Sequence, residues 1–131
     1  MAKILLVEHM KSVRRAIAAL LHDVGHTVIE VEDGTDAITQ LRNQSFDLVI
    51  CEVLLATVDG TEVLAYLEKQ PDRPPVIAIS SGNNQIPAEM ALLLVKTKAN
   101  ATLKKPFEDA DLLALTEKLL NEPDLTQRVA G

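Results

Sequence analysis

Residues 46–53 read Phe-Asp-Leu-Val-Ile-Cys-Glu-Val, and the apolar run inside this stretch decides the fold. Leu48 to Cys51 are consecutive and apolar, so an extended strand would carry apolar side chains on both of its faces. Such a strand is typical of a parallel sheet that helices cover on each side. We therefore predict a strand over 47–53 in the interior of such a sheet.

Four further short apolar segments predict the other strands of this sheet. They lie at 3–7, 27–31, 76–80 and 101–104. Helical patterns fill the gaps between the strands, so strand and helix alternate five times. This alternation predicts a single doubly wound α/β domain with helices on both faces.

Four of the helical patterns have a predicted start or end. Val13, Ile17, Leu20 and Val24 recur at helical spacing and are followed by Gly25, which predicts the first helix and its end. The Asp33-Gly34 pair predicts a turn, and Asp59-Gly60 a turn that feeds the third helix. The fourth helix should start near Pro87, and the last should cover 109–120.

Length and composition exclude several classes of protein. The 131 residues fit one domain, which we place at 1–121 with a tail at 122–131 that is too short for a DNA-binding output domain. The chain either stands alone or is part of a longer one.

A net charge of −6 and three aromatic residues argue against a nucleic-acid-binding protein. One cysteine, Cys51, excludes an internal disulfide framework and a multi-cysteine zinc site. The apolar run at 4–7 is too short for a signal peptide or a membrane span, so we expect a cytoplasmic protein without a membrane partner.

Polar residues follow the predicted strands at the points where these strands end. They are Glu8 and His9 after the first strand, Glu52 near the end of the third, Ser80 at the end of the fourth and Lys105 after the fifth. In parallel α/β sheets, ligands bind beyond the carboxyl ends of the strands. These side chains are therefore the candidate functional residues.

Four segments in this order resemble the receiver domain of two-component response regulators. They are Lys-Ile-Leu-Leu-Val-Glu-His (3–9), Phe-Asp-Leu-Val-Ile-Cys-Glu (46–52) with Val-Asp-Gly (58–60), Pro-Val-Ile-Ala-Ile-Ser-Ser (75–81), and Leu-Lys-Lys-Pro-Phe (103–107). The resemblance implies a flavodoxin-like sheet of order 2-1-3-4-5. It also implies a site where an aspartate on strand three accepts a phosphoryl group from a histidine kinase, and where two acidic residues hold Mg²⁺. Ser80 and Lys105 match the residues that bind the phosphoryl oxygens in that family, where the Lys-Pro bond is cis.

The sequence departs from the receiver pattern at the centre of the site. Glu52 stands at the phosphoacceptor position, and the acidic pair is Glu8 and His9. Ala56 replaces the usual proline. Thr102 replaces the aromatic residue on strand five that, in this family, often changes together with the switching of the receiver. The resemblance therefore implies a receiver that has lost part of its phosphoryl site.

These departures lead to specific expectations for the site. Glu52 carries its carboxylate about 1.5 Å further out than aspartate would, and errors of about 1 Å can cost on the order of a hundredfold in rate. His9 offers imidazole, which suits zinc or copper better than Mg²⁺, and we expect it to be a partly exposed loop residue. Glu52 could instead reach Lys105 and Ser80 and stand in for an aspartyl phosphate. We expect no resident cofactor, with Glu8 and Glu52 at most weak Mg²⁺ ligands; Glu8 could equally be a partner of Lys105.

The fourth helix carries a run of apolar residues that cannot all face the sheet. Leu92, Leu93, Leu94 and Val95 are consecutive, and a helix turns by about 100° per residue. We expect this run to form a contact surface for a signalling partner, either a histidine kinase or an output protein, or for a homodimer. The surface would include helix four, strand five and helix five.

Two other functions stay open on the residues alone. One is a conventional receiver that accepts a phosphoryl group. The other is a flavodoxin-type nucleotide binder, although residues 8–12 (Glu-His-Met-Lys-Ser) lack the glycine-rich phosphate loop that this function needs. A hydrolase is not expected, because no nucleophile and base pair up at the strand ends, so we expect the chain not to be an enzyme.

Overall fold

The computed structural model describes residues 1–55 and 58–122 of the chain. Five strands alternate with five helices. They are β1 (Lys3–Val7), α1 (Lys11–Asp23), β2 (Thr27–Val31), α2 (Gly34–Asn43), β3 (Leu48–Glu52), α3 (Gly60–Glu68), β4 (Val76–Ser80), α4 (Ala88–Leu94), β5 (Ala101–Lys104) and α5 (Asp109–Asn121). The predicted tail beyond Glu122 and the position of Ala56 lie outside the described residues. No helix in the described part of the chain is long and apolar enough to span a membrane.

The strands form one parallel sheet in the order β2-β1-β3-β4-β5, which confirms the predicted fold and strand order. The register pairs Val7 of β1 with Cys51 of β3, and Glu52 of β3 with Ile79 of β4. Because all strands are parallel, their carboxyl ends meet at one edge. This edge gathers the candidate functional residues.

Strand β3 is buried on both faces, as its composition predicts. Its alternate residues enter two separate apolar clusters, one on each side of the sheet. Val49 and Cys51 pack on the side of α3, whereas Leu48 and Ile50 pack on the side of α1 and α5. The sheet is therefore the middle of three layers, and its central strand holds Glu52 in a fixed position.

Helix α3 approaches β3 closely because its first residue is glycine. The Gly60 amide donates a hydrogen bond of 2.9 Å to the Val53 carbonyl. A Cβ at this position would lie 2.2 Å from the carbonyl oxygen of Glu52, so only glycine fits. Asp59 caps the helix by accepting a hydrogen bond from the Gly60 amide at 2.9 Å. The Asp59-Gly60 pair, predicted as a turn that feeds the third helix, is thus the start of that helix and fixes the chain directly beyond the site.

Two local predictions need correction. Gly34 is the first residue of α2 and Asp33 is its cap, so the predicted Asp33-Gly34 turn is a helix start. Val24 is about half exposed and lies beyond the end of α1, so it does not belong to the buried stripe. The cause is Gly25, whose φ of +96° ends the helix before Val24 can face the sheet.

Candidate functional site

Four polar side chains are buried at the carboxyl edge of the sheet. Their exposed fractions are 0% for Glu8, 2% for Glu52, 0% for Ser80 and 8% for Lys105. Three of them are ionisable, and burying an unpaired charge costs several kcal/mol or more. The charged groups must therefore be satisfied by one another.

Lys105 satisfies both buried carboxylates. Its Nζ donates to Glu52 Oε1 at 2.7 Å and to Glu8 Oε1. The prediction that Glu52 reaches Lys105 is confirmed, and Glu8 takes the role of a second partner of the same ammonium. Glu8, Lys105 and Glu52 form what we call the ion cluster, in which one ammonium lies between two carboxylates.

The second oxygen of each carboxylate is also occupied. Glu8 Oε2 accepts a hydrogen bond from the Met10 amide at 3.1 Å and lies 3.4 Å from His9 Nδ1. Glu52 Oε2 accepts from the Leu54 amide at 3.0 Å. Each of the four carboxylate oxygens thus has a donor or a cation beside it. With His9 neutral, the cluster has a formal charge of −1.

The ammonium of Lys105 is stabilised in its charged form. Burial acts to lower the pKa of Lys105, but its hydrogen bonds to Glu52 and Glu8 and their negative charges outweigh burial and raise that pKa. The backbone of Lys105 is also fixed, because its amide donates to the Ser80 carbonyl at 2.8 Å. The Lys105-Pro106 peptide bond is cis, as the resemblance implies.

Ser80 lies at the same edge but does not join the ion cluster. Its Oγ accepts a hydrogen bond from the Gly82 amide at 3.1 Å, within the turn after β4. Among the described residues no hydrogen bond joins Glu52 to Ser80, so that expected contact is wrong. The two oxygens of Glu52 are instead bonded to Lys105 Nζ and the Leu54 amide.

The side chains at this edge do not fit the Mg²⁺ that the resemblance implies. Mg²⁺ requires near-octahedral oxygen ligands at about 2.0–2.1 Å. Glu8 and Glu52 are already engaged by Lys105 and by backbone amides, and the side chain of His9 is 48% exposed and offers nitrogen. In the described ranges, no three His, Cys, Asp or Glu residues are grouped so that they could hold a metal ion. These residues therefore do not form a Mg²⁺ site.

Two residues that support the site were not predicted from the sequence. Arg14 Nη1 donates to the backbone carbonyl of Glu8 at 2.9 Å, and its Nε lies 3.5 Å from Glu30 Oε1. Asp59 accepts from the Leu55 amide at 3.1 Å and so restrains the chain after Glu52. An acidic residue at the start of a predicted helix is the sequence signal that could have indicated the role of Asp59. No sequence signal indicates Arg14, because its contact depends on where α1 lies.

Cys51 takes no part in the site. It is fully buried, and burial, followed by the negative charge of Glu52, raises the pKa of the Cys51 thiol. A thiol with a raised pKa is a poor nucleophile. Cys51 is therefore an apolar packing group, as expected.

The apolar run of α4 divides between the core and the surface. Leu93 and Leu94 are 61% and 56% exposed, whereas Leu92 is half-buried and Val95 is buried. Val95 is on the same helical stripe as Ala88 and Ala91, which faces the sheet, so its assignment to a contact surface is wrong. Thr102, on the neighbouring strand β5, is exposed.

Comparison with known proteins identifies the family. The family model of the response regulator receiver domain matches residues 4–117. The transcriptional regulatory protein ZraR of Escherichia coli is 34% identical over 104 residues, covering 79% of this chain and 23% of ZraR. The crystal structure of NtrX from Brucella abortus in complex with ADP shares the fold with a TM-score of 0.83 at 27% identity, covering 98% of this chain and 29% of NtrX. A receiver domain of a Francisella response regulator shares the fold with a TM-score of 0.80 at 22% identity, covering 92% of this chain and 97% of that domain.

The match extends over nearly the whole domain, from β1 into α5. The chain spans less than a third of the length of ZraR and of NtrX. Receiver domains are regulatory parts of two-component signalling systems, interact with histidine kinases and output domains, and commonly bind Mg²⁺. The order of the strands, the burial of Glu52 and Lys105 at their carboxyl ends, and the matched family model together show that this chain belongs to the response regulator receiver family.

Proposed function

We propose that this receiver is not switched by phosphoryl transfer and that the ion cluster holds it in one state. The observation that carries the proposal is the ammonium of Lys105, which lies between Glu8 and Glu52. In the family, the equivalent lysine binds the phosphoryl oxygens. Here the carboxylate of Glu52 accepts a hydrogen bond from that lysine. Its charge of −1 takes the place of a phosphoryl group that would carry nearly −2.

Access to the Glu52 carboxylate supports this proposal. A nucleophile must approach the phosphorus atom to about 3–3.5 Å with a free lone pair. Glu52 is 2% exposed, and its two oxygens are held by Lys105 Nζ and the Leu54 amide. Phosphoryl transfer would require both the exposure of Glu52 and the loss of these bonds.

The charge of the site supports the same conclusion. Phosphoryl transfer depends on cations that neutralise the charge of the transferred group. The ion cluster contains two carboxylates and one ammonium, and each carboxylate oxygen already has a donor or a cation beside it. An incoming phosphoryl donor would therefore meet a net negative site.

The output would be protein–protein contact through α4 and its neighbours. Met90, Leu93 and Leu94 are half or more exposed and follow the i, i+3, i+4 spacing of one helix face. Helix α4 packs against β5, which carries the exposed Thr102. This face fits a histidine kinase, an output protein or a second copy of the chain. A location in the cytoplasm, and the absence of nucleic-acid and membrane partners, are parts of this proposal.

Incubation with acetyl phosphate and Mg²⁺, followed by intact-mass measurement, tests the proposal. The wild type should gain no phosphoryl mass. Glu52→Asp should give partial phosphorylation, and Glu52→Asp with His9→Asp should give more, because the second change adds a hard oxygen ligand. Glu62→Asp, an equivalent shortening at an exposed position of α3, is the matched control and should stay unmodified.

A conventional phosphoaccepting receiver is the second candidate. Ser80 and Lys105 favour it, because both matching residues lie at the carboxyl edge of the sheet. A stoichiometric phosphoprotein formed by the wild type in the same experiment would establish this second candidate and refute the first.

A further inference from the structure

The four carboxylate oxygens of the ion cluster all have partners within the chain. Lys105 supplies the ammonium of the cluster, and this ammonium donates to one oxygen of each carboxylate. The remaining two oxygens accept from the amides of Met10 and Leu54. All of these groups are at the buried edge of the sheet, where opposite charges attract each other more strongly than in water.

The backbone and the side chain of Lys105 are both held in place beside Glu8 and Glu52. Its amide is bonded to the Ser80 carbonyl in continuation of the β4–β5 ladder, and its side chain is only 8% exposed. A divalent ion could bind Glu8 and Glu52 only if it displaced this ammonium. Displacement would leave the lysine charge buried and unpaired, which is strongly unfavourable.

We propose that the ammonium of Lys105 is the resident cation of this site. It takes the place of a divalent metal ion, and removal of its side chain leaves a receptor for a small primary alkylammonium ion between Glu8 and Glu52. This inference rests on the proposed function and deepens it, since it names the cation that keeps the site closed. It predicts that the wild-type domain does not respond to divalent metal ions.

Titration of the wild type with Mg²⁺, and with paramagnetic Mn²⁺, tests the exclusion of metals. The amide signals of Met10 and Leu54 are the reporters in a ¹⁵N NMR spectrum, because both amides donate to the carboxylates of the cluster. These signals should neither shift with Mg²⁺ nor broaden with Mn²⁺ more than the remote amide of Gln70. Saturable shifts or selective broadening at Met10 and Leu54 would overturn the inference.

Chemical rescue of Lys105→Ala tests the preference for an ammonium ion. The substitution removes three methylene groups and the ammonium, which together correspond to n-propylammonium. We expect this variant to melt at a lower temperature than the wild type and to regain part of the loss when n-propylammonium is added. n-Propanol lacks the charge and tetramethylammonium lacks the N–H donors, so neither should restore it.

Lys104→Ala is the matched control for the rescue. Lys104 is adjacent in sequence, but its side chain is 60% exposed and pairs with Glu89 on the surface. The melting temperature of this variant should not respond to n-propylammonium. A response as large as that of Lys105→Ala, or equal rescue by n-propanol, would contradict the proposal.

A Lys105→Ala variant that does not fold still decides the question. Recovery of native circular dichroism on adding n-propylammonium supports the ammonium receptor, and no recovery overturns it. Failure of this inference is distinct from failure of the proposed function. Metal binding by a wild type that takes up no phosphoryl group overturns only the inference, whereas phosphorylation of the wild type refutes the proposed function itself.

Discussion

One methylene group separates Glu52 from the aspartate that the family resemblance implies at this position. The carboxylate of Glu52 meets the ammonium of Lys105 at 2.7 Å, and its other oxygen accepts from the Leu54 amide. Glu8 meets the same ammonium from the other side. The centre of the site thus holds one ammonium paired with two carboxylates, which is the arrangement that the proposed function depends on.

Replacement of Lys105 by methionine should destabilise the domain strongly. The change keeps most of the side-chain volume but leaves two buried carboxylates without their cation, a loss of about 3–5 kcal/mol. Lys104→Met, which removes an exposed lysine, should change stability by less than about 0.5 kcal/mol. Urea unfolding curves measure both variants, and equal effects would show that the ion cluster does not stabilise the fold.

The contribution of Lys105 should also depend on pH. Because the pKa of Lys105 is raised in the folded chain, the folded state holds this proton more tightly than the unfolded state. The stabilisation is therefore fully present below the ordinary lysine pKa of about 10.4 and is lost as the pH rises through the folded value. The difference in unfolding free energy between the wild type and Lys105→Met should shrink above about pH 10.4. A difference that stays constant there would mean that the ion pairs do not raise this pKa.

Helices α3 and α5 pack against the sheet that carries the site, and α5 contains a buried hydroxyl that lowers the stability of the fold. Helix α3 closes on β3 through Gly60, and α5 packs against the sheet through Leu112, Thr116 and Leu119. Thr116 is 1% exposed, and its hydroxyl has no hydrogen-bond partner among the described residues. A buried hydroxyl without a partner costs free energy that an apolar group of the same shape does not.

Thr116→Val should therefore stabilise the domain, by about 1 kcal/mol. The valine keeps the shape of the side chain and replaces the hydroxyl with a methyl group. Thr39→Val is the control, because Thr39 is exposed and its hydroxyl already bonds the Thr35 carbonyl. Urea unfolding should show a gain for Thr116→Val and none for Thr39→Val. A loss of stability in Thr116→Val would mean that its hydroxyl is satisfied in solution.

The exposed face of α4 predicts self-association at the scale of the whole molecule. Leu93 and Leu94 lie on one helix face, and two-fold symmetry is the common way to cover such a face. Sedimentation at micromolar concentration should show a dimer that does not depend on Mg²⁺ or a phosphoryl donor. Leu93→Lys combined with Leu94→Lys should give monomers, whereas Val24→Lys, at an exposed valine beyond α1, should not. A monomeric wild type would contradict the predicted dimer and would mean that the exposed face of α4 binds a different partner.

The sequence predicts most of this molecule, and the exceptions have physical causes. Four strands match their predicted limits, and β3 is shorter than predicted by one residue at each end. The apolar run predicts that a strand forms, but it does not predict at which residue the hydrogen bonds to the neighbouring strands end. The pairing of Glu52 with Lys105 was predictable, since both follow strands of one parallel sheet. The contact of Arg14 with the Glu8 carbonyl was not, because it depends on the placement of α1. The burial of Val95 was also missed, because Val95 lies on the stripe of Ala88 and Ala91 that faces the sheet.

The binding of beryllofluoride tests the central claim most directly, because this anion mimics a phosphoryl group without requiring chemistry. Wild-type protein with Mg²⁺ and beryllofluoride should show only free species in the ¹⁹F NMR spectrum, since Lys105 and both carboxylates are already paired. Glu52→Asp combined with His9→Asp should show bound fluorine signals under the same conditions. Stoichiometric bound fluorine signals in the wild type would contradict the account, because they would mean that the ion cluster opens to admit the phosphoryl group and its metal ion.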